Sequence, residues 1–117
     1  MNFITENYGN NRVKIDVAAN GDNQIVAAVA GKKIRVLSMF FIVAGAVNAK
    51  FQSDSGGSAS DLTGALPLAA NGGASLPFNP HGWIQTDIGK KLNLNLSGAV
   101  QVSGSITYAL IPNDFSS

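Results

Sequence analysis

Cysteine is absent from the 117 residues, so neither a disulfide framework nor a thiolate metal centre can hold this chain, and its stability has to come from packing. Histidine occurs once, at His81 between Pro80 and Gly82. General acid-base and nucleophilic catalysis both need positioned pairs of groups, and no Gly-x-Ser-x-Gly elbow exposes a serine. Asp87 and nearby serines permit a triad to be drawn, as any serine-rich β protein would, and the expectation is a protein that is not an enzyme. Charge is scarce as well. Asp, Glu, Lys and Arg make up 13% of the chain, with a net charge of +1, against a usual share of about 25%. The only basic clusters are Lys32-Lys33 and Lys90-Lys91, which excludes the electrostatic footprint of a nucleic-acid binder. No phosphate-binding Gly-x-x-x-x-Gly-Lys-Ser/Thr loop occurs, and nucleotide binding has no support. No apolar run approaches the roughly 20 residues of a membrane helix. The longest, from Val36 to Val47, is bracketed by Lys32, Lys33, Arg35 and Lys50. The opening MNFITENYGNN carries no basic, apolar leader, and the expectation is a chain made and assembled in the cytoplasm.

What is present is apolar and turn-rich: 45% hydrophobic residues and thirteen glycines in a length that suits one domain. A small domain with so little charge either shows a surface of Ser, Asn and Gly or buries part of it against partners, and both are expected here. The most hydrophobic stretch is GKKIRVLSMFFIVAGAVNAKF, Gly31 to Phe51. Ile34, Val36 and Ser38 alternate with Lys33, Arg35 and Leu37. Met39 to Val43 then run on without a polar break, as in a strand covered on both faces. After Ala44-Gly45-Ala46, Val47, Ala49 and Phe51 alternate with Asn48, Lys50 and Gln52. This predicts two core strands joined as a hairpin; Gly45 and the β-branched and aromatic content favour strands over a buried helix.

In chain order, residues 1–11 show neither helical nor strand period and form an N-terminal arm. Its Phe3, Ile4 and Tyr8 are three large apolar side chains without a strand of their own, and are candidate contacts to a shell or a neighbouring subunit. Arg12 to Val17 alternates strictly as a half-buried strand. Asn20-Gly21-Asp22-Asn23 signals a turn and Gln24 to Val29 a further strand. Residues 53–64 are a polar loop. Short extended pieces follow at Ala65 to Ala69, Ser75 to Phe78 and Gly82 to Thr86. Leu92, Leu94 and Leu96 point inward against Asn93, Asn95 and Ser97 outward. A long closing strand runs from Ala99 to Ile111, with a bulge expected at Ser103-Gly104. About eight strands at this spacing predict an all-β, single-domain antiparallel β-sandwich, jelly-roll-like, over 12–112, with a C-terminal tail at 113–117.

Three motifs have bland explanations. Asp54 and Asp61 flank a Ser/Gly loop, but their spacing fits no calcium-loop pattern, and no metal or cofactor is expected. Asn95-Leu96-Ser97 matches a glycosylation acceptor yet lies inside a strand. Trp83 with Phe78 and Tyr108 offers an aromatic platform for a sugar, or else fills the core or an interface, where aromatics contribute most.

The series GKKIRVLSMFFIVAGAVNAKFQS, LTGALPLAANGGASLPFNPHGWIQTDIGKKLNLNLSGAVQVSGSITYALI resembles a family of small tailed-bacteriophage virion proteins. The shared pattern is a Gly-Lys-Lys-Ile-Arg-Val strand, a Leu-Thr-Gly turn, Pro-Phe-Asn-Pro-x-Gly-Trp, and a Leu-Asn-Leu-Asn-Leu-Ser strand leading into an aromatic β-hairpin. It covers residues 31–111 and contains no catalytic signature. The resemblance implies a β-sandwich virion component, such as a trimeric decoration or cement protein on the capsid surface, assembled in the host cytoplasm. Its partners would be the major capsid protein and copies of itself, with no nucleic acid and no membrane. A sandwich of this kind also suits the head of a tail or head fibre that binds a glycan or host receptor.

Overall fold

The computed structural model describes residues 11–56 and 59–112. Among these residues there are ten strands and no helix. They are β1 Asn11–Val17, β2 Gly21–Val26, β3 Lys32–Val43, β4 Val47–Asp54, β5 Ala59–Asp61, β6 Leu66–Leu68, β7 Gly73–Leu76, β8 Ile84–Gln85, β9 Lys91–Leu96 and β10 Val102–Pro112. Two antiparallel sheets pack face to face. The first has the order β1-β10-β3-β7 with β8 also on β3, and the second β2-β9-β4-β5 with β6 also on β4. The first strand thus pairs with the last and the second with the last but one, while β3 takes β7 and β8 and β4 takes β5 and β6. This is an antiparallel ribbon rolled over itself into a jelly roll. The two strands beyond the expected eight are short pieces; β5 lies inside the stretch expected to be a loop.

Rolling the ribbon overturns one local expectation. β3 and β4 are not a hairpin: β3 belongs to the first sheet and β4 to the second, and residues 44–46 carry the chain across the sandwich. Val43 N–H donates to Gly72 and Ala44 N–H to Gln101, so the crossing is held by neighbouring segments and not by β3 against β4. The bulge is also displaced. Ser38 pairs with Thr107 and Val36 with Tyr108, which leaves Leu37 as the extra residue on β3. That one residue resets the strand's phase, so Ile34 and Val36 face the core before it and Met39, Phe41 and Val43 after it.

The core fills the space between the sheets. Ile15, Ile34, Val36, Phe41, Val43, Val102 and Ile106 come from one sheet, Ala49, Phe51, Leu92, Leu94 and Leu96 from the other, and all are buried. Phe41 and Phe51 meet edge to face with ring centroids 6.1 Å apart, joining the sheets through a favoured aromatic geometry. At one end of the sandwich, buried Thr86 closes the polar accounts: its N–H donates to Ile34 O (2.9 Å) and its Oγ1 accepts from Ile34 N–H (3.0 Å). Buried Ser53 Oγ accepts from Asp87 N–H (3.1 Å) and ties β4 to the same corner.

Candidate functional site

The two outer faces differ in chemistry. On the second sheet the outward side chains are mostly polar and several bond one another, while among the described residues the buried Gln52 Oε1 and Asn93 Oδ1 have no protein partner. Across the register, Gln24, Asn93, Gln52 and Asp61 form one row and Asp22, Asn95 and Lys50 the next. Asn93 Nδ2 donates to Asp54 Oδ2 (2.7 Å), Gln52 Nε2 to Asp61 Oδ1 (3.0 Å) and Asn95 Nδ2 to Asp22 Oδ1 (2.6 Å). Lys50 Nζ reaches Asp61 Oδ2 at 3.2 Å. The Gln52 amide, and then Lys50, hold the Asp61 carboxyl below the ordinary carboxylate range. Asn93, expected to face water, is buried because residues as long as itself flank it on both sides. Asp54 Oδ1 also accepts from Gly56 N–H (2.8 Å), so both carboxylates of the polar loop are engaged by protein donors. Among the described residues no group of three or more His, Cys, Asp and Glu side chains gathers into a metal cage.

The first sheet carries the apolar surface. Phe40 and Ile42, expected to be covered, each stand 55% exposed on the outer face of β3. After the Leu37 bulge the even residues of this strand point away from the core, and the unbroken run Met39 to Val43 supplies apolar side chains to both faces. Their register neighbours are small: Ser105 and Ser75 beside Phe40, Ser103 and Gly73 beside Ile42. At Gly73 and at Gly104 a Cβ would overlap the carbonyl oxygens of Phe41 and Phe40 respectively, so the strands flanking β3 lie too close there for any larger residue.

The other two exposed large apolar residues, Phe78 (58%) and Trp83 (42%), lie in the segment that follows β7 and docks on the bulge. Asn79 N–H donates to Leu37 O and Trp83 N–H to Val36 O, while the indole Nε1–H donates to Pro77 O at 2.9 Å. Gly82, at φ 83°, packs against the Arg35 side chain, where a Cβ would overlap it. Tyr108 is half-buried and packs against the core. His81 is exposed in a turn closed by its own N–H on Asn79 Oδ1 (3.0 Å). Among the described residues no carboxylate or hydroxyl bonds its ring. Phe3, Ile4 and Tyr8 lie outside the described residues, as does the tail at 113–117.

Among the described residues the four exposed large apolar side chains thus lie on β3 or in the segment between β7 and β8, which both pair with β3. The signal in the sequence for Phe40 and Ile42 was the apolar run itself, which is equally the mark of a buried strand. The fold defines an all-β sandwich whose first sheet exposes two large apolar side chains, Phe40 and Ile42, among small polar neighbours. Compared with known proteins, the chain matches no family model and no curated protein.

Proposed function

We propose that the chain is a structural protein of a bacteriophage virion, a trimeric decoration or cement protein that binds the assembled capsid shell and stabilises it. The observation that supports this reading is the exposure of four large apolar side chains, Phe40 and Ile42 on β3 and Phe78 and Trp83 in the segment that docks on its edge. A surface of this kind suits association, and the resemblance over residues 31–111 supplies the shell as the object bound. The mechanism is mass action. A ligand that binds only the assembled shell lowers its free energy by about RT ln(1 + [L]/Kd) per site, repeated over many sites. Phe3, Ile4 and Tyr8 are proposed contacts to the shell or to a neighbouring subunit. Deleting residues 1–9 leaves the paired face of β1 whole, so the β spectrum is expected to persist while cosedimentation with decoration-free shells falls sharply. Undiminished cosedimentation of the truncated chain would remove the arm from the interface.

A second reading is favoured by one feature, the exposure of Trp83 and Phe78 beside Asn79 and His81. An exposed indole with polar neighbours suits a glycan or receptor-binding module on a fibre. Retention on a glycan array that is lost in Trp83→Ala, together with no binding to shells, would establish this reading in place of the first.

A further inference from the structure

We infer that the hollow between Arg12 and Phe40, on the outer face of the β1-β10-β3-β7 sheet, is a binding site for an acidic sugar unit of a glycan, a pyranose ring that carries a carboxylate. The inference goes beyond shell binding, does not depend on it and uses neither Phe78 nor Trp83. The hollow has a volume of about 410 Å³ and is lined by Arg12, Phe40 and the hydroxyl side chains of Ser38, Ser75, Ser105 and Thr107. Small-ligand sites commonly have about 300–1,000 Å³. Two register rows build it. Arg12, Thr107 and Ser38 stand side by side on β1, β10 and β3, and Ser105, Phe40 and Ser75 on β10, β3 and β7 form the next row. Two strand spacings of about 4.8 Å separate β1 from β3, which leaves the width of a sugar ring between the cation and the aromatic side chain.

Each of these groups matches one part of such a ligand. The Arg12 guanidinium suits a carboxylate, which it holds through two parallel N–H donors. The serine and threonine hydroxyls both donate and accept, as sugar hydroxyls do. Phe40, exposed in the middle of the sheet, gives the C–H face of the ring an apolar surface to lie on. None of the polar groups is used up within the fold. Among the described residues no ion pair or hydrogen bond engages the Arg12 guanidinium or the hydroxyls of Ser38, Ser75 and Thr107, and Ser105 Oγ donates only a long bond to Val13 O (3.4 Å). Charge favours an acid over a neutral sugar. The outward positions of this sheet carry Arg12, Lys14, Lys33 and Arg35 against Asp16. Lys14 stands 3.9 Å from Asp16 and Arg35 Nε donates to Gln85 Oε1 (3.0 Å), which leaves Arg12 as the unengaged cation at the hollow. A nucleic-acid strand would need a groove of cations that follows its phosphates, whereas one guanidinium in the lining matches one carboxylate.

Titration of the isotope-labelled full chain with methyl glucuronoside, followed by NMR, tests this. The uronate is expected to shift the Ser38, Ser75, Ser105 and Thr107 amides and the Arg12 Nε–H resonance saturably. Methyl glucoside, which has a hydroxymethyl group in place of the carboxylate, and the Arg12→Gln variant are each expected to weaken binding about 10–100-fold, the range of a hydrogen bond to a charged group. Lys50→Gln on the opposite sheet is expected to bind as the parent does. The absence of saturable shifts, equal binding of the two glycosides, or a folded Arg12→Gln protein that binds like the parent overturns the inference. So does acetate that shifts the same resonances at the same concentration, which leaves a bare anion site, or an oligothymidylate that binds them more tightly than the uronate, which makes the face a nucleic-acid surface. The comparison of glycosides uses the unaltered chain and decides even if the variant does not fold. Shell cosedimentation is read separately: its failure counts against the virion reading alone, whereas the titrations decide this one.

Discussion

Gly104→Ala is a substitution whose cost can be worked from backbone positions alone. Gly104 sits in β10 opposite Phe41 on one side and Ile15 on the other, so both of its neighbours are paired strands. A Cβ there would overlap the Phe40 carbonyl oxygen and stand 2.6 Å from Phe41 Cα and 2.8 Å from Phe40 C. These are backbone atoms, which no rotamer change can move. Relief requires β10 and β3 to separate, and these two strands share the longest pairing among the described residues, from Val102↔Val43 to Pro112↔Lys32. Overpacking of this kind costs about 1–3 kcal/mol, a large share of a total stability of roughly 5–15 kcal/mol. For a domain of this size that lowers Tm by about 4–12 °C, taking about 4 °C per kcal/mol. Gly98→Ala is the control, since nothing lies within 4 Å of a Cβ at that position and its φ is not left-handed; it is expected to melt at or slightly above the parent. Calorimetry on the three proteins decides the matter. A Gly104→Ala protein that melts with the parent would show that the close approach of β10 to β3 does not exist.

Val36→Asp is expected to abolish folding, because Val36 is fully buried and an unpaired charge there costs several kcal/mol; a cooperative melt near the parent's would refute this packing. Asp61 gives a pH dependence. Its carboxyl titrates below the ordinary value because the Gln52 amide and Lys50 favour the charged form. The stabilisation is complete above the unfolded value of about 3.9 and is lost as pH falls through the lower folded value. The Tm gap between parent and Asp61→Asn is therefore expected to close on acidification from pH 6 to pH 2, and a constant gap would contradict the assignment. Calcium at millimolar concentration is expected to leave Tm unchanged, since Asp54 and Asp61 already accept hydrogen bonds from protein donors; an upward shift would revive a metal site at the loop.

Strand character was legible wherever one face of a strand meets the core and the other meets water. Val13, Ile15 and Val17 against Arg12, Lys14 and Asp16, and Leu92, Leu94 and Leu96 on β9, face as their alternation predicts. What the alternation cannot carry is the identity of the neighbour. Ala44-Gly45-Ala46 suits a tight turn within a sheet as well as a crossing between sheets, and the choice is made by pairings with β7 and β10, far along the chain. Asn93 reads as a surface residue until Gln52 and Gln24 are placed beside it. The run Met39 to Val43 is ambiguous for a related reason: a strand between two layers and a strand facing a partner have the same composition. Phe40 and Ile42 become recognisable as surface only once the Leu37 bulge has fixed the phase of β3.

The proposal that this sandwich decorates a capsid shell is tested most directly by finding the chain in purified particles. Immunogold labelling of purified particles from cells that make the chain, with labels counted on heads and tails, is the measurement. The account predicts label distributed over the head surface in many copies per particle. Label confined to the tail or its fibres, or absent from particles altogether, would contradict it.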